Sequence, residues 1–243
     1  MLARCVHHGS RMAATSRAPR LRLISSESLE EEAASATVPA SGAVELGVPA
    51  EAQEVEAERE VDQELVGRAR RSEARAFEAL YRRHAEFAFN LAVRIQGNAT
   101  DVEDVVHDAF LKAQVRLADL RDSAAFRPWL GSIVVRLVRT RLRRRKLLGA
   151  LGLTTPDPVE IESIAAVDAD PEARALLAQV YALLQTLAAD DRIAWTLRYV
   201  ERHRLETVAV MMDCSLATAK RRIARAQRFL TEHFVSPFTQ SPA

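Results

Sequence analysis

The sequence predicts an all-α protein with two small helical domains joined by a flexible linker. Aromatic residues make up only 5% of the 243 residues and only eight are Gly, which favours helices over β-sandwiches and barrels. Apolar residues recur at three- and four-residue steps in several segments, and no strand-like alternation persists. A stretch with two Gly and three Pro, residues 149–171, divides the helical segments into two groups.

The N-terminal segment, residues 1–58, is rich in Ala, Ser, Glu and Pro and shows no sustained period. Such a segment buries too little apolar surface to offset the conformational entropy lost on folding. We therefore predict a disordered extension, with room for a short helix at Glu51–Arg59. The C-terminal residues 236–243 are predicted to be a second disordered tail.

The first folded domain is predicted at residues 59–148 and contains three helices. The first helix includes Phe77–Ile95, where apolar residues follow the period of an amphipathic helix. Thr100 and Glu103 have the T-x-x-E spacing of a capping box, which predicts the start of the second helix. The third helix is predicted at about Phe126–Leu147.

The second folded domain is predicted at residues 172–235, after the linker at residues 149–171. Its periodic segments are separated by short polar breaks, which is typical of a compact helical unit. The four helices predicted in it are Glu172–Leu187, Asp190–Val200, Leu205–Met212 and Leu216–Phe234.

The last predicted helix contains "SLATAKRRIARAQRFL", a run with five basic residues and no acid. At about 100° per residue, its apolar residues share one face and its bases lie opposite. A short helix, a tight turn and a longer basic helix predict a helix-turn-helix that reads the major groove of DNA. The alternative is an amphipathic helix with ordinary solvated arginines. The candidate DNA-binding residues are Thr218, Lys220, Arg221, Arg222, Arg225 and Arg228.

The third helix of the first domain carries a second basic ridge, within a segment that has nine bases and one acid between Arg121 and Lys146. Its arginines follow i, i+3, i+7 spacing, and Trp129 lies at the upstream end. A basic ridge beside an aromatic suits a nucleic-acid strand. For Trp129 core packing is the favoured role and base stacking is the alternative. The candidate residues are Trp129, Arg136, Arg139, Arg143 and Arg144.

Other classes of site find little support in the sequence. The two cysteines form no CxxC pair and the six histidines are scattered, so we expect no metal site. A Gly-rich phosphate loop, HExxH and GxSxG are absent, so we predict no cofactor and no enzymatic activity. No apolar run approaches the ~20 residues of a membrane span, and no signal-peptide core occurs, so we predict a cytoplasmic protein.

Three segments together resemble the extracytoplasmic-function (ECF) group of bacterial sigma-70-type sigma factors. They are "DVEDVVHDAFLKA" (101–113), "FRPWLGSIVVRLVRTRLRRRK" (126–146) and "LRYVERHRLETVAVMMDCSLATAKRRIARAQ" (197–227). The resemblance spans about Val61–Lys146 and Glu172–Phe234. It implies that the first domain is similar to sigma region 2 and the second to the helix-turn-helix domain of sigma region 4.

The resemblance implies a sigma factor that binds core RNA polymerase and directs promoter-specific initiation. The ridge with Trp129 corresponds to the part that reads the −10 element, and the helix-turn-helix to the part that reads the −35 element. The linker corresponds to a segment that threads through polymerase, and an anti-sigma factor is an expected partner. The residues that correspond to the polymerase-binding surface are Asp101, Asp104, His107, Asp108 and Phe110.

The chain departs from the family pattern at several positions. Arg136 stands where Asn is usual and Thr140 where Asp is usual, which predicts an unusual −10 preference. His107-Asp108 replaces the usual Gln-Glu pair. In the turn of the helix-turn-helix, Asp213 replaces a common Gly, and Asp adopts the left-handed conformation more readily than most residues.

Two other functions compete with this interpretation. A helix-turn-helix regulator without polymerase contact would need neither the acidic helix nor the second basic ridge. An enzyme would need a catalytic constellation, and the pair Glu103/Asp104 is better interpreted as capping plus partner docking.

Overall fold

The computed structural model describes residues 50–153, 158–164 and 170–234, and every regular element within these ranges is a helix. This confirms the predicted all-α class. The first half contains α1 (Ala50–Arg70), α2 (Ala74–Gln96), α3 (Val102–Val115) and α4 (Phe126–Ala150), with short 3-10 turns at Leu117–Asp119 and Ser123–Ala125. The second half contains α5 (Ile161–Ile164), α6 (Pro171–Thr186), α7 (Ala189–Trp195), a π-helical turn (Thr196–Val200), α8 (Leu205–Met211) and α9 (Leu216–His233).

Helix α1 begins at Ala50, so it starts well before the predicted domain boundary at residue 58. The later part of α1 packs on α2, because Val66 is fully buried there and Asp62 is 4% exposed. Asp62 Oδ1 accepts from Arg83 Nε at 3.2 Å and lies 2.9 Å from His84 Nε2. Residues 1–49 and 235–243 lie outside the described residues, and so do the predicted tails there.

The turn between α2 and α3 differs from the predicted capping box. The N-cap of α3 is Asp101, in the left-handed region at φ 55°, and no side chain caps it. The N–H of Thr100 is bound by Asn98 Oδ1 at 3.2 Å, and the N–H of Ala99 by Glu160 Oε2 at 2.9 Å. The capping box at Thr100 was wrong, because the helix begins one residue later and Asn98, not Glu103, binds the N–H of Thr100.

The linker is held against the first half at this turn. Besides the side-chain contact, the backbone N–H of Glu160 donates to Gly97 O at 3.0 Å. Gly97 is the C-cap of α2 at φ 76°, a left-handed conformation that favours glycine. The segment predicted as a flexible linker is therefore anchored at one point in this structure.

The second half is a small helical unit that ends in a helix-turn-helix. Its own apolar cluster includes Leu184 and Trp195, which are both almost completely buried. Trp195 Nε1 donates a hydrogen bond to Gln227 Oε1 at 2.8 Å. Ser215 is the N-cap of α9, with its Oγ accepting from the N–H of Thr218 at 3.2 Å. Asp213 adopts φ 53°, which confirms the left-handed turn predicted at this position.

The two halves pack together. Val134 of α4 and Met211 and Met212 around α8 belong to one buried apolar cluster. Helices α4 and α8 approach so closely that a Cβ on Gly131 would lie 2.8 Å from the terminal methyl of Met211. Tyr181 in α6 donates its hydroxyl to Arg94 O at 2.9 Å, across the same boundary. No helix in the described ranges is long and apolar enough to cross a membrane.

We predict that Asp62→Ala lowers the free energy of unfolding by about 2–3 kcal/mol, because it leaves the buried His84 without its hydrogen-bond partner and removes the ion pair with Arg83. Glu58→Ala on the same helix is the matched control. Glu58 lies 3.7 Å from Arg127 in an exposed pair, so its loss should cost no more than about 0.5 kcal/mol. Urea unfolding of the full chain measures both values, and equal losses would contradict the role of Asp62.

Candidate nucleic-acid interface

Helix α9 has the amphipathic arrangement that the sequence predicts. Ala219, Ile223 and Ala226 are buried on its inner face. Lys220, Arg221 and Arg228 are exposed on the outer face, and they make no ion pair with any residue in the described part of the chain. These three side chains form a cationic surface that a polyanion can reach.

The sequence predicts that all the basic residues of α9 point away from the core. Two arginines differ, because they pair with acids of α7. Arg222 Nη2 lies 2.6 Å from Asp190 Oδ2, and Arg225 makes two contacts with Asp191, at 2.6 Å from Nε and 2.7 Å from Nη2. The side-chain hydrogen bond to Asp191 raises the pKa of Arg225. Both acids lie in the first turn of α7, where the helix dipole favours negative charge.

Thr218, the remaining candidate on α9, lies in the first turn of the helix. Its Oγ1 is 2.9 Å from Ser215 Oγ, and its backbone N–H is capped by the same hydroxyl. Thr218 therefore helps to define the start of the helix. Its partly buried side chain sits beside the exposed Lys220 and Arg221.

Three arginines of the basic ridge on α4 contact the second half of the molecule, but only Arg139 is largely covered by it, with a side chain 17% exposed. Arg139 Nη2 donates to Met212 O at 2.6 Å, and Arg143 Nη2 lies 2.9 Å from Asp190 Oδ2. Arg136 Nη2 lies 3.3 Å from Asp213 Oδ2 in the turn before α9. Arg144 is exposed, as Arg136 and Arg143 are.

Asp190 is the centre of this arrangement, since it pairs with three arginines. Besides Arg143 and Arg222, it contacts Arg139 at 3.3 Å between Oδ1 and Nε. The side chains of Asp190 and Arg139 are only 15% and 17% exposed. Burial lowers the pKa of Arg139, and the negative charge of Asp190 opposes that shift. The carboxylate thus compensates the guanidinium groups of Arg139 and Arg222, which water reaches poorly.

Trp129 is partly buried at the start of α4. Its ring packs against the apolar core of the first half, with its centroid 6.0 Å from that of Phe126. This agrees with core packing, the favoured role. Trp129 as a whole is partly exposed to solvent.

The acidic helix α3 presents Asp104, His107 and Asp108 to solvent. Asp101 is exposed too, but it pairs with Arg145 of α4 at 3.2 Å. Phe110 differs from these four residues, because it is only 3% exposed. Its ring centroid lies 4.6 Å from that of Tyr81 and 6.4 Å from that of Phe77. Phe110 therefore supports this surface from inside and does not form part of it.

The sequence interpretation missed the acids that pair with the arginines of the two basic surfaces. Asp190 and Asp191 stand next to each other at the start of α7, and Asp213 was noted only for its backbone conformation. Their sequence signal is weak, since acids in a first helical turn are common. Nothing in the spacing shows that Asp190 faces a helix more than forty residues earlier in the chain.

Comparison with known proteins gives matches in both halves. The family described as Sigma-70 region 2 matches residues 80–147, and the family described as Sigma-70, region 4, matches residues 177–230. The RNA polymerase sigma-H factor of Pseudomonas aeruginosa is 33% identical over 176 residues, covering 70% of this chain and 91% of that protein. The ECF RNA polymerase sigma-E factor of Escherichia coli is 32% identical over 183 residues, covering 70% and 92%.

One solved structure has a similar fold. It is the sigma factor RpoE of Bartonella quintana in complex with the anti-sigma factor NepR, with a TM-score of 0.51 and 21% identity. The match covers 64% of this chain and 94% of that chain. At this identity the likeness concerns the fold alone.

We predict that Arg221→Ala weakens binding to duplex DNA by about 1–3 kcal/mol, and that this loss occurs only with duplexes that contain particular base pairs. The reason is that an exposed arginine on such a helix can contact base edges. Arg116→Ala is the matched control, since it also removes an exposed arginine, but one that lies after α3 and not on α9. Arg116 Nε lies 3.1 Å from Asp119 Oδ2. Competition binding with a panel of duplex sequences measures the loss. A loss equal to that of the control, or equal on all sequences, would contradict base readout.

Proposed function

Because the chain belongs to the ECF group of sigma-70-type RNA polymerase sigma factors, we propose that α9 reads the −35 element and α4 the −10 element of its promoters. The chain binds core RNA polymerase and directs promoter-specific transcription initiation. Polymerase carries out the chemistry of RNA synthesis, so we assign no catalytic residue to this chain. We place its action in the cytoplasm, with the polymerase.

The observation that carries the assignment of α9 is its exposed cationic face on a helix that begins directly after a tight turn. Ser215 caps the helix and Asp213 supplies the left-handed residue of the turn. Lys220, Arg221 and Arg228 project from the outer face. Such a helix fits the major groove, where arginine can donate two hydrogen bonds to guanine or contact phosphates.

The assignment of α4 to the −10 element is supported by the spacing of its arginines and by Trp129 at its start. Arg136, Arg139 and Arg143 lie along one side of α4, and Arg144 extends the charge. Phosphates of an opened strand would lie along these cations, as in other grooves for single strands. Arg136 in place of the usual Asn changes the donors at this surface, so we propose a −10 preference that differs from that of the relatives.

We propose that the exposed part of α3 docks on core polymerase. Asp104, His107 and Asp108 form its outer surface, and the buried Phe110 fixes that surface on the core. We also extend to this chain the expectation of an anti-sigma partner. The support is the similar fold of a sigma factor that was solved with one.

The test of the function is transcription by purified core polymerase with and without this chain, on the promoter upstream of its own gene. We expect promoter-specific transcripts only when the chain is present. If the chain binds duplex DNA sequence-specifically but supports no initiation, the alternative of a helix-turn-helix regulator without polymerase contact is correct.

We predict that Asp104→Arg weakens the complex with core polymerase about tenfold or more, since it replaces an exposed acid of the docking surface by a base. Glu86→Arg on α2 is the control, because it makes the same charge change at an exposed position outside α3. Fluorescence binding of the labelled full chain to core polymerase measures both. Wild-type affinity of the Asp104→Arg chain would show that the docking assignment is wrong.

A further inference from the structure

One arginine outside the two basic surfaces binds a segment that lies far from it in the sequence. Arg70 is the last residue of α1, and each of its side-chain nitrogens donates to a different acceptor in residues 117–123. Nε donates to Leu117 O at 3.2 Å, Nη1 to Ser123 Oγ at 3.3 Å, and Nη2 to Leu120 O. A guanidinium is planar and holds its donors in a fixed fork, so it binds several acceptors only in one relative arrangement. Arg70 therefore fixes the path of this segment.

The segment that Arg70 binds has little regular structure of its own. It connects α3 to α4 and contains only the short 3-10 turns at Leu117–Asp119 and Ser123–Ala125. Backbone carbonyls outside a helix need donors from elsewhere. The side chains of Leu117 and Leu120 belong to the buried apolar cluster, and each residue is 5% exposed. The apolar core therefore anchors the segment from the inside, while the exposed Arg70 binds its backbone from the outside.

The same segment determines where α4 begins. Asp122 Oδ1 accepts from the N–H of Ala124 at 3.0 Å, directly before α4. Phe126, the first residue of α4, is completely buried. Its ring centroid lies 5.2 Å from that of His84 and 6.0 Å from that of Trp129. Trp129 follows Phe126 within the first turn of α4, so a displacement of the segment moves the Trp129 ring.

Two simpler roles of Arg70 agree less well with these contacts. A role in core packing would require burial, but Arg70 is exposed. A role as a phosphate anchor would require its donors to face solvent, but Nε, Nη1 and Nη2 all bind oxygens of the chain. Arg70 also lies upstream of residues 80–147, the part that matches Sigma-70 region 2, so that match gives it no role.

We propose that Arg70 is a positioning residue for the −10 surface, because it holds residues 117–123 in the path that lets α4 present Trp129 to the opened DNA strand. This proposal rests on the proposed function of α4. Arg70 does not touch the DNA and acts through the segment and Phe126. A binding surface works only when its groups are held within about 0.5 Å of the productive geometry, so loss of the fork weakens stacking on the partly exposed Trp129.

The first test is acrylamide quenching of tryptophan fluorescence in the isolated full chain, which needs neither polymerase nor DNA. The chain has two tryptophans, and Trp195 is 1% exposed, so the quenchable emission comes from Trp129. We expect a changed quenching constant in Arg70→Ala, because the start of α4 is no longer held in one position. Arg71→Ala is the matched control, since it removes the next arginine, which is exposed and pairs with Glu73 at 3.2 Å.

Arg70→Lys separates the geometry of the fork from its charge, and it also covers the case in which Arg70→Ala does not fold. Lysine keeps the positive charge but has one nitrogen, which cannot replace three nitrogens that bind separate acceptors. We therefore expect Arg70→Lys to show a changed quenching constant too. A wild-type quenching constant in Arg70→Lys would show that charge alone is sufficient, and would overturn the proposal.

The second test uses core polymerase with each variant on the promoter upstream of the gene for this chain. Permanganate reactivity of thymines in the −10 element measures strand opening, and a mobility shift at low temperature measures promoter binding before opening. We expect strand opening with Arg70→Ala and Arg70→Lys to be about fivefold or more below that with Arg71→Ala, which corresponds to the loss of one base stack. Promoter binding should equal that of the control. An equal loss of binding and opening would show that Arg70 only supports the fold, and would overturn the proposal.

The two proposals fail separately. If the wild-type chain supports no transcription but both Arg70 variants change the quenching constant, Arg70 positions Trp129 and the proposed function is wrong. If the wild-type chain opens the promoter but both Arg70 variants behave like Arg71→Ala, the function stands and the role of Arg70 is wrong. A change in quenching without a change in strand opening would likewise overturn the role of Arg70 at the −10 surface.

Discussion

The packing of the two basic surfaces against each other depends on the carboxylate of Asp190. It contacts Arg139 and Arg143 from one half and Arg222 from the other, at 3.3, 2.9 and 2.6 Å. A single negative charge therefore links the ridge of α4 to the recognition helix α9. Because Asp190, Arg139 and Arg222 are largely shielded from water, these two pairs are stronger than exposed salt bridges would be.

Proteins that bind polyanions must limit the repulsion between their own cationic side chains, and the position of Asp190 between these arginines has that effect. Helices that present arginines to DNA leave the same arginines without counter-charge when DNA is absent, and packing two such helices together makes the repulsion worse. The acids at the start of α7 and in the turn before α9 reduce that repulsion.

Local features were predictable from the sequence because local physics determines them. The apolar face of α9 and the left-handed Asp213 follow from helical period and turn chemistry, and both are confirmed. Features that depend on distant residues were not predictable. Glu160, far along the chain, binds the N–H of Ala99 in the α2–α3 turn, and nothing in the local spacing indicates that contact. The spacing of the arginines on α4 predicted a ridge, but spacing carries no information about the helix that packs against it.

The most direct test of the account is the distance between the halves of the isolated wild-type chain in solution. Spin labels at Glu86 in α2 and Thr231 in α9, both exposed positions, allow that distance to be measured by pulsed electron resonance. The account predicts one short, narrow distance distribution, because Asp190 joins the two halves. A long, broad distribution would contradict it.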